Sequence, residues 1–368
     1  MKKITFFISN FANGGIEKVY INLCNSLQVA GTTPEILIGK LSKTDMIDQF
    51  DKSIKVSILN SSNPYLCQPK LIKYILKNKP DIIIADRHQS LLAAIISNKI
   101  INKRIQIHGT IHGHISSGFK FSWRNSKQQA KMLNKINFCL PDTNGIITVS
   151  KGVEEDFIRL FPEAREKVKT IYNPVVTDDL ISNSNQKINH PWISDKKIPV
   201  ILGVGRLSAQ KDFKTLIRAF AELRKKLRSR LMIIGDGDEE KELQALANKL
   251  GIENDFSLLG FQKNPIAWMA HADLFVLSSI SEGLGIVLIE AMAVGTPVVS
   301  TDCQSGPSEI LEGGKYGPLV PVGDASALAI AMETALQRPI NSEELRKRGL
   351  FFSSTNCANN YLKLLKIS

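Results

Sequence analysis

Short apolar runs alternate with longer amphipathic stretches along the chain. In the first half, helical spacing of apolar side chains is typical of residues 15–31 and 69–79. The apolar runs predict strands at residues 4–9, 34–39, 55–59, 81–85, 104–111, 145–150 and 168–173. This alternation of strands and helices predicts a parallel sheet covered by helices on both faces.

A second series of the same kind follows residues 174–198, which lose the periodicity, are rich in Asn, Ser and Asp, and read as a linker. The predicted strands are 199–205, 230–237, 256–260, 273–279, 297–301 and 317–321, and the predicted helices are 211–227, 238–250, 264–270 and 286–294. The pattern therefore indicates two doubly wound α/β domains. We expect ligands at the carboxyl ends of the strands, in a cleft between the domains.

The composition agrees with a two-domain globular protein. A chain of 368 residues is too long for one small hydrophobic core, and an apolar fraction of 43% is ordinary for a globular protein. The net charge of +12 is uneven: residues 1–190 carry +11 and residues 191–368 carry +1. Such an excess fits nucleic acid, an anionic membrane or an anionic substrate. Nucleic acid is the weakest of the three, since aromatics are only 7% and no basic run is interleaved with them in the way that single-strand binders require.

No apolar run approaches the ~20 residues of a membrane-spanning helix. The nearest, residues 90–101, is interrupted by Asn98 and Lys99. The N-terminus starts with two lysines, but its apolar stretch is short and leads into a glycine turn, which favours a buried strand over a signal peptide. Five scattered cysteines without a C-x-x-C pair fit a reducing cytoplasm.

The most informative segment is residues 279–299, where an apolar strand leads through a glycine turn into a helix. Gly283 and Gly285 let the backbone turn tightly beneath a ligand, and a helix N-terminus favours phosphate. Glu282 and Glu290 flank that turn, and a carboxylate can accept two hydrogen bonds from a vicinal diol. Two carboxylates on either side of a phosphate site suit a sugar nucleotide, which has hydroxyls on both sides of its phosphates. Alternatively, Glu282 is only a carboxylate at a helix start and Glu290 only a solvated helix residue.

A second motif, residues 203–216, places Arg206 and Lys211 in a loop after a strand. Two such cations can neutralise a diphosphate and a leaving phosphate without a metal, although solvated surface cations would look the same. The loop is no dinucleotide fingerprint, because Ser208 replaces the third glycine. Gly235 and Gly237 predict a tight turn that approaches the nucleotide closely.

In order along the chain, these motifs resemble the retaining GT-B glycosyltransferases of family 4. The resemblance rests on GGIEKV (14–19), ITVS (147–150), IYNPV (171–175), GVGRLSAQKD (203–212), IIGDGDE (233–239), LLGF (258–261), SEGLGIVLIEAMAVGTPVV (281–299) and SGPSEIL (305–311). It implies a GT-B fold of two Rossmann-like domains facing a central cleft. The domains would be residues 1–180, for the acceptor, and 181–350, for the nucleotide sugar, with the helix at 351–368 returning to the first.

By the same resemblance, Glu282 would hold hydroxyls of the donor sugar, Glu290 the ribose diol, and Arg206 and Lys211 the diphosphate. No metal or organic cofactor is expected. The remaining donor contacts implied are Gly14, Gly15, Gly205, Gly235, Phe261, Gln262, Gly283, Leu284, Gly285, Ile286 and Val287.

Four of the six histidines lie between residues 88 and 114. Similar enzymes carry a histidine that contacts the donor sugar, and His112, at the end of a predicted strand, fits that place. His114 is the other candidate and is otherwise expected at the acceptor. His108 reads as a core or flanking residue, and His88 fits a loop position or a substrate contact. A metal among them is disfavoured, because no carboxylate occurs between residues 88 and 141.

Residues 117–136 mix cations with apolar side chains, as in segments that rest on anionic headgroups. A solvated basic helix explains the pattern equally well. Lys120 and Arg124 of this segment are candidate acceptor contacts.

The sequence thus predicts a retaining transferase of a hexose or N-acetylhexosamine from a nucleoside diphosphate sugar, with UDP favoured. The expected acceptor is a glycan, lipid-linked, in bacterial lipopolysaccharide, O-antigen or capsule synthesis. We expect a cytoplasmic enzyme on the inner face of the cytoplasmic membrane. Alternatives are a GT-B sugar-nucleotide epimerase or phosphorylase, and a non-catalytic sugar-nucleotide-binding partner.

Overall fold

A computed structural model describes residues 2–12, 14–43, 46–120, 125–195 and 197–367. The chain forms two compact units, each with its own sheet and core. The N-terminal unit comprises Met1–Pro174 and Ser354–Ser368, and the C-terminal unit comprises Val175–Ser353. Because the chain enters the second unit and then returns, the first unit is built from two separate stretches.

The N-terminal sheet has seven parallel strands in the order β3-β2-β1-β4-β5-β6-β7. They are β1 Ile4–Phe11, β2 Glu35–Leu41, β3 Val56–Ile58, β4 Ile82–Ala85, β5 Gln106–Ile111, β6 Gly145–Thr148 and β7 Val168–Thr170. The central strands are buried on both faces, since β4 contains only Ile and Ala and is fully buried.

Helices cover both faces of this sheet. They are α1 Gly15–Val29, α2 Gln68–Asn78, α3 His88–Ile100, α4 Ile115–Lys120, α5 Ser126–Cys139 and α6 Lys151–Leu160, with short 3-10 helices at Ile47–Gln49, Leu140–Asp142 and Pro162–Lys167. One core cluster joins α2, α3 and α5 through Leu71, Ile95 and Ile136, and another buries Leu23 and Leu27 of α1.

The C-terminal sheet has six parallel strands in the order β10-β9-β8-β11-β12-β13. They are β8 Val200–Val204, β9 Arg230–Ile234, β10 Phe256–Leu258, β11 Leu274–Leu277, β12 Val298–Thr301 and β13 Leu319–Val320. The helices of this unit are α7 Asp178–Ser184, α8 Pro191–Ser194, α9 Phe213–Arg224, α10 Glu240–Lys249, α11 Pro265–His271, α12 Ile286–Ala293, α13 Pro307–Ile310, α14 Ala325–Gln337 and α15 Ser342–Leu350. Both units are doubly wound Rossmann-like domains, as the sequence pattern predicted.

The stretch 174–198, which we expected to be a plain linker, instead contains α7 and α8. Thr177 begins α7 by accepting a hydrogen bond from Leu180 N at 3.1 Å. Leu180 and Ile193 are buried, and α7 packs on α11. The expectation was wrong because one buried residue per short helix gives too few apolar positions to show a period.

The C-terminal helix α16, Ser354–Leu365, packs against α1. Cys357, Tyr361 and Leu365 are buried there, and the Tyr361 ring meets Phe6 edge-on at 6.3 Å between centroids. The helix therefore completes the core on that face of the N-terminal sheet.

Within the described ranges, every helix is too short or too polar to cross a bilayer.

Candidate active site

Three loops meet at the carboxyl edge of the C-terminal sheet, after β8, β9 and β10. Gly205 N donates to Ile234 O at 2.9 Å, Leu207 N donates to Asp236 O at 2.8 Å, and Gly235 N donates to Gly260 O at 3.0 Å. These backbone bonds hold the loops in one layer, so that residues predicted from separate motifs become neighbours.

Two glycines make this close approach possible. Gly235 has φ +144°, and a Cβ there would lie 1.9 Å from Gly205 O. Gly237 has φ +154°, and its Cβ would lie 2.3 Å from Leu207 O. Since an L side chain fits neither the backbone angle nor the space, the tight turn that the sequence predicted requires glycine at both positions. The close approach seen here is to the loop after β8, and the contact with the nucleotide stays a prediction.

Lys211 and Glu282, predicted from separate motifs, form an ion pair. Lys211 Nζ lies 2.5 Å from Glu282 Oε1, and the two side chains are 19% and 10% exposed. Ser279 Oγ donates to the same carboxylate oxygen at 2.6 Å. The Lys211 side chain also runs beside Gly205, where a Cβ would lie 3.3 Å from its Cε. A cation and a carboxylate are thus held together in a site sheltered from water.

Arg206 lies on the same loop as Lys211 but is exposed. Among the residues that the structure describes, it has no hydrogen-bond or ion-pair partner. Its guanidinium is consequently available to a ligand at this edge of the sheet.

The segment after β11 forms the glycine turn and the helix that the sequence predicted. Gly285 is the residue before α12 and has φ +95°, a left-handed conformation that favours glycine. Leu284 is buried, whereas Gly283, Ile286 and Val287 are partly accessible at the start of the helix. Glu290 lies in the second turn of α12 and is half-buried. The free N–H groups of the first turn suit an anion.

Several residues that sequence reasoning missed support this turn. Gln210 Nε2 donates to Ser281 O at 2.7 Å, which ties the Arg206–Lys211 loop to the Glu282 loop. Ser305 Oγ donates to Glu282 O at 2.6 Å. Gly306 has φ +92°, and a Cβ there would lie 1.8 Å from Leu284 O. The signal for Ser305 and Gly306 was the SGP triplet at 305–307, and Gln210 lies within the GVGRLSAQKD motif.

The loop after β10 carries Phe261 and Gln262. Phe261 is 71% exposed, and Gln262 Nε2 donates to Leu259 O at 2.9 Å. An exposed ring beside the joined loops offers a stacking surface, which fits the role for a nucleobase implied by the resemblance. That role stays a prediction.

In the N-terminal unit, His112 follows β5 and lies in a hydrogen-bonded triangle. Its Nε2 is 3.1 Å from both Tyr20 Oη and Thr110 Oγ1, which are 2.7 Å apart. Burial, and secondarily the positive charge of Arg87, lower the pKa of His112 to about 4, so the ring is neutral near pH 7. A neutral, oriented imidazole is suited to hydrogen bonding with a sugar hydroxyl.

His114 lies in a different environment from His112. Its Nδ1 is 3.3 Å from Asp156 Oδ2, and both side chains are largely buried. Ser116 Oγ and Arg159 also donate to Asp156, each at 2.6 Å. Burial alone would raise the Asp156 pKa, but these hydrogen bonds outweigh it and lower the pKa. Burial is also the main reason that the His114 pKa is lowered.

His108 is buried on β5, and burial lowers its pKa to about 4. It is a core residue, as expected, whereas His88 is the first residue of α3. Gly14 and Gly15 begin α1, where Glu17 accepts a hydrogen bond from Ala12 N at 3.1 Å. A carboxylate of the chain therefore lies at the helix start where the resemblance implies a donor contact.

Lys120 ends α4 and is exposed. Arg124, the other candidate acceptor contact, lies outside the described residues, as do Phe121 and Trp123 of the same basic segment. In the described ranges, no three His, Cys, Asp or Glu residues gather into a possible metal site. A reaction without a metal or cofactor remains a prediction.

Comparison with known proteins places the chain in a family. The model for glycosyl transferases group 1 matches residues 184–350, and that for glycosyltransferase family 4 matches residues 13–179. The chain is 28% identical to an N-acetylgalactosamine-N,N'-diacetylbacillosaminyl-diphospho-undecaprenol 4-alpha-N-acetylgalactosaminyltransferase of Campylobacter jejuni, covering 99% of this chain and all of that protein. It is 27% identical to the lipopolysaccharide core biosynthesis glycosyltransferase LpsE of Rhizobium meliloti, covering 96% of each.

A solved structure shares the fold over the whole chain. Anabaena Alr3699/HepE, in complex with UDP-glucose, superposes with a TM-score of 0.80 at 22% identity, covering all of both chains. The family models, the full-length relatives and the two Rossmann-like units agree with one another. The chain belongs to glycosyltransferase family 4, with the GT-B fold, and is a glycosyltransferase.

Proposed function

We propose that this enzyme transfers a hexose or N-acetylhexosamine, with retention of configuration, from a nucleoside diphosphate sugar to a hydroxyl of a lipid-linked glycan. UDP is the favoured nucleotide. The product belongs to a bacterial surface polysaccharide such as lipopolysaccharide, O-antigen or capsule. The C. jejuni and R. meliloti relatives, whose names state such acceptors or pathways, support this class of acceptor.

The observation that carries the proposal is the cluster at the carboxyl edge of the C-terminal sheet. Lys211 is paired with Glu282 at 2.5 Å, Arg206 is exposed on the same loop, and the α12 N-terminus lies beyond the Gly285 turn. Two cations and free backbone N–H groups suit a diphosphate. Glu282 and Glu290 are the carboxylates that we assign to the sugar and ribose hydroxyls.

The chemistry follows from these assignments. When the donor binds, its diphosphate replaces Glu282 as the partner of Lys211, and the freed carboxylate accepts hydrogen bonds from the sugar. As the bond to the sugar breaks, Arg206 and Lys211 stabilise the charge that develops on the leaving phosphate. That phosphate takes the proton of the acceptor hydroxyl on the face from which it departs, so configuration is retained and no separate base is needed.

A thermal-shift screen of UDP-, GDP- and ADP-sugars tests the donor class. A bound donor at 100 times its Kd adds ~2.7 kcal/mol of stability. We expect a shift with UDP-sugars for the wild type and none for Lys211→Met. Lys226→Met is the matched control, because Lys226 is an exposed lysine of the same unit, paired with Glu333, and its shift should equal that of the wild type.

Transfer itself is tested with the best donor and a lipid-linked oligosaccharide, and the anomeric configuration of the product is read by NMR. Retention is the expected result. Inversion, or conversion of the donor without any acceptor as in an epimerase, would overturn the proposal.

A further inference from the structure

Helices α2, α3 and α5 lie side by side on one face of the N-terminal sheet, joined by a single hydrophobic cluster. Together they contain seven lysines and no Asp or Glu. The lysines are Lys70, Lys73, Lys77, Lys99, Lys127, Lys131 and Lys135. By contrast, α1 and α16 on the opposite face contain two lysines and one glutamate. These three helices therefore concentrate positive charge, whereas α6, which joins the same cluster through Phe157, carries acidic residues.

Among the described residues, six of these seven lysines have no carboxylate partner on a neighbouring element. Lys99 pairs with Asp142 at 2.6 Å. Within the part of the chain that the structure describes, none of the other six forms an ion pair with a carboxylate. All but Lys135 are exposed. The surface is consequently a field of one sign, and an unpaired field of this kind attracts an anionic partner.

Large apolar side chains project from the same surface. Leu76, Ile100 and Phe138 are exposed on the three helices, and Tyr65 and Leu66 are exposed in the loop before α2. Five exposed apolar side chains on one highly charged surface are unusual, because exposed apolar residues normally occur singly.

Two contacts join these apolar side chains to the lysines. Lys99 Nζ lies 5.3 Å from the centre of the Phe138 ring, and Lys135 Nζ lies 6.0 Å from the centre of the Tyr65 ring. Since Lys135 and Phe138 are neighbours on one turn of α5, the loop, the end of α3 and α5 form one continuous patch.

We propose that this patch, the lysine layer (the exposed face of α2, α3 and α5 with Tyr65 and Leu66), rests on a bilayer containing anionic lipid. Lysine ammonium groups reach the headgroups while their alkyl stems lie along the apolar zone, and the exposed Leu, Ile, Phe and Tyr side chains enter it. A single-stranded nucleic acid fits less well, because it needs aromatic rings spaced along a basic groove, and here the lysines spread over three helices.

The inference rests on the proposed lipid-linked acceptor and identifies the surface that brings the enzyme to it. It moves the membrane contact away from residues 117–136 alone, where the sequence suggested it. Of that segment, only α5 belongs to the lysine layer. The rest of the layer, which is α2, the end of α3 and the Tyr65 loop, is distant in sequence and could be recognised only from the fold.

The test uses the full chain and sedimentation with vesicles of phosphatidylcholine, with or without phosphatidylglycerol. The variant is Lys73→Gln, Lys127→Gln and Lys131→Gln together. Three exposed lysines of the C-terminal unit, Lys225, Lys241 and Lys249, give the matched control when changed to Gln.

We expect binding only to the vesicles with phosphatidylglycerol. The layer variant should bind them about 100-fold more weakly, since each cation contributes about 1 kcal/mol near an anionic surface, and the control should match the wild type. Phe138→Ser should also weaken binding, because it removes an inserted side chain from the surface without touching the core.

Equal binding to both kinds of vesicle, or equal binding by the two triple variants, would overturn the lysine layer. Preferential binding to heparin or single-stranded RNA over the anionic vesicles would do the same. UDP binding by calorimetry is measured in parallel. A layer variant that binds UDP normally but not vesicles confirms the layer. A wild type that binds vesicles but no nucleotide sugar refutes the proposed function and leaves the membrane contact standing.

Discussion

Lys211 and Glu282 satisfy each other before any donor arrives, and this pairing has a consequence for stability. Both side chains are mostly sheltered from water. Removing one of them leaves the other as a poorly hydrated, unpaired charge, whereas removing both leaves none. The same two residues therefore act in substrate binding and in holding the loops of the empty site.

A double-mutant cycle measures that pairing. Lys211→Met and Glu282→Gln should each lower the free energy of unfolding, and the double variant should lose less than the sum, with a coupling of about 0.5–3 kcal/mol. Urea unfolding gives these energies. All three variants should lose transfer activity. Strict additivity of the two changes would show that the ion pair contributes nothing.

His108 and His112 have pKa values lowered to about 4, from an ordinary value of 6.5. Between those values the unfolded chain binds more protons than the folded one. Stability should therefore be complete above about pH 6.5 and fall as the pH drops towards 4, by up to about 1.4 kcal/mol per pH unit for each histidine.

Urea midpoints at pH 7 and pH 5 test this dependence. His108→Gln removes one of the two histidines whose pKa falls to about 4 and should make the dependence on pH shallower without abolishing it, because His112 still titrates. A variant with the same slope as the wild type would contradict the assignment of a buried, neutral His108.

The glycine turns decide whether the loops of the donor site can pack against one another. Gly306 and Gly313 both have positive φ, +92° and +67°, but a Cβ at Gly306 would strike Leu284 O, while nothing lies within 4 Å at Gly313. Alanine at Gly313 therefore measures the free energy that a positive φ costs, and alanine at Gly306 measures that cost together with the steric clash.

Gly313→Ala should cost about 1–2 kcal/mol of stability, the usual penalty of a left-handed alanine, and leave UDP affinity unchanged. Gly306→Ala should cost more and weaken UDP binding, because the Glu282 loop must move. Calorimetry for binding and thermal unfolding for stability provide the two readouts. Equal effects of both alanines on UDP affinity would count against the role of Gly306.

Periodicity predicted the strands, and the helices for which the sequence analysis gave ranges, to within a few residues, since strands such as β4 and β11 are uninterrupted apolar runs between polar turns. It did not predict α14 and α15, and it failed for α7 and α8, which bury too little to show a period. The site was predicted as a set of residues. The Lys211–Glu282 pair, the hydrogen bond from Gln210 to Ser281 and the positive φ of Gly306 depend on contacts between distant segments. They could therefore be recognised only in the folded structure.

For the whole molecule, the N-terminal unit depends on a helix that arrives after the C-terminal unit has been completed. Tyr361 of α16 is buried against Phe6 and within the core that includes α1. The last residues of the described chain therefore stabilise the first strand.

Tyr361→Ala should cost about 3–5 kcal/mol of unfolding free energy, as is usual for an aromatic side chain removed from a core. Tyr65→Ala is the matched control, because Tyr65 is exposed and its loss should change stability little. The two midpoints in urea provide the comparison. Equal midpoints would mean that α16 is dispensable for the core.

The charge of the whole chain also has a structural location. The sequence indicated either a membrane contact or a solvated basic helix at residues 117–136. The fold places α2 and α3 beside α5 of that segment, so that seven lysines lie on three neighbouring helices. Sequence order could not show this, because α2 and α5 are separated by nearly fifty residues and become parts of one layer only in the folded unit.

In the proposed mechanism, the cations at the carboxyl edge of the C-terminal sheet bind a nucleoside diphosphate. Calorimetric titration of the wild type and Arg206→Met with UDP and with uridine tests it most directly. We predict that UDP binds the wild type far more tightly than uridine does, and that Arg206→Met removes much of that difference while uridine binding is unchanged. Equal affinities of the wild type for UDP and uridine would mean that these cations do not bind the diphosphate.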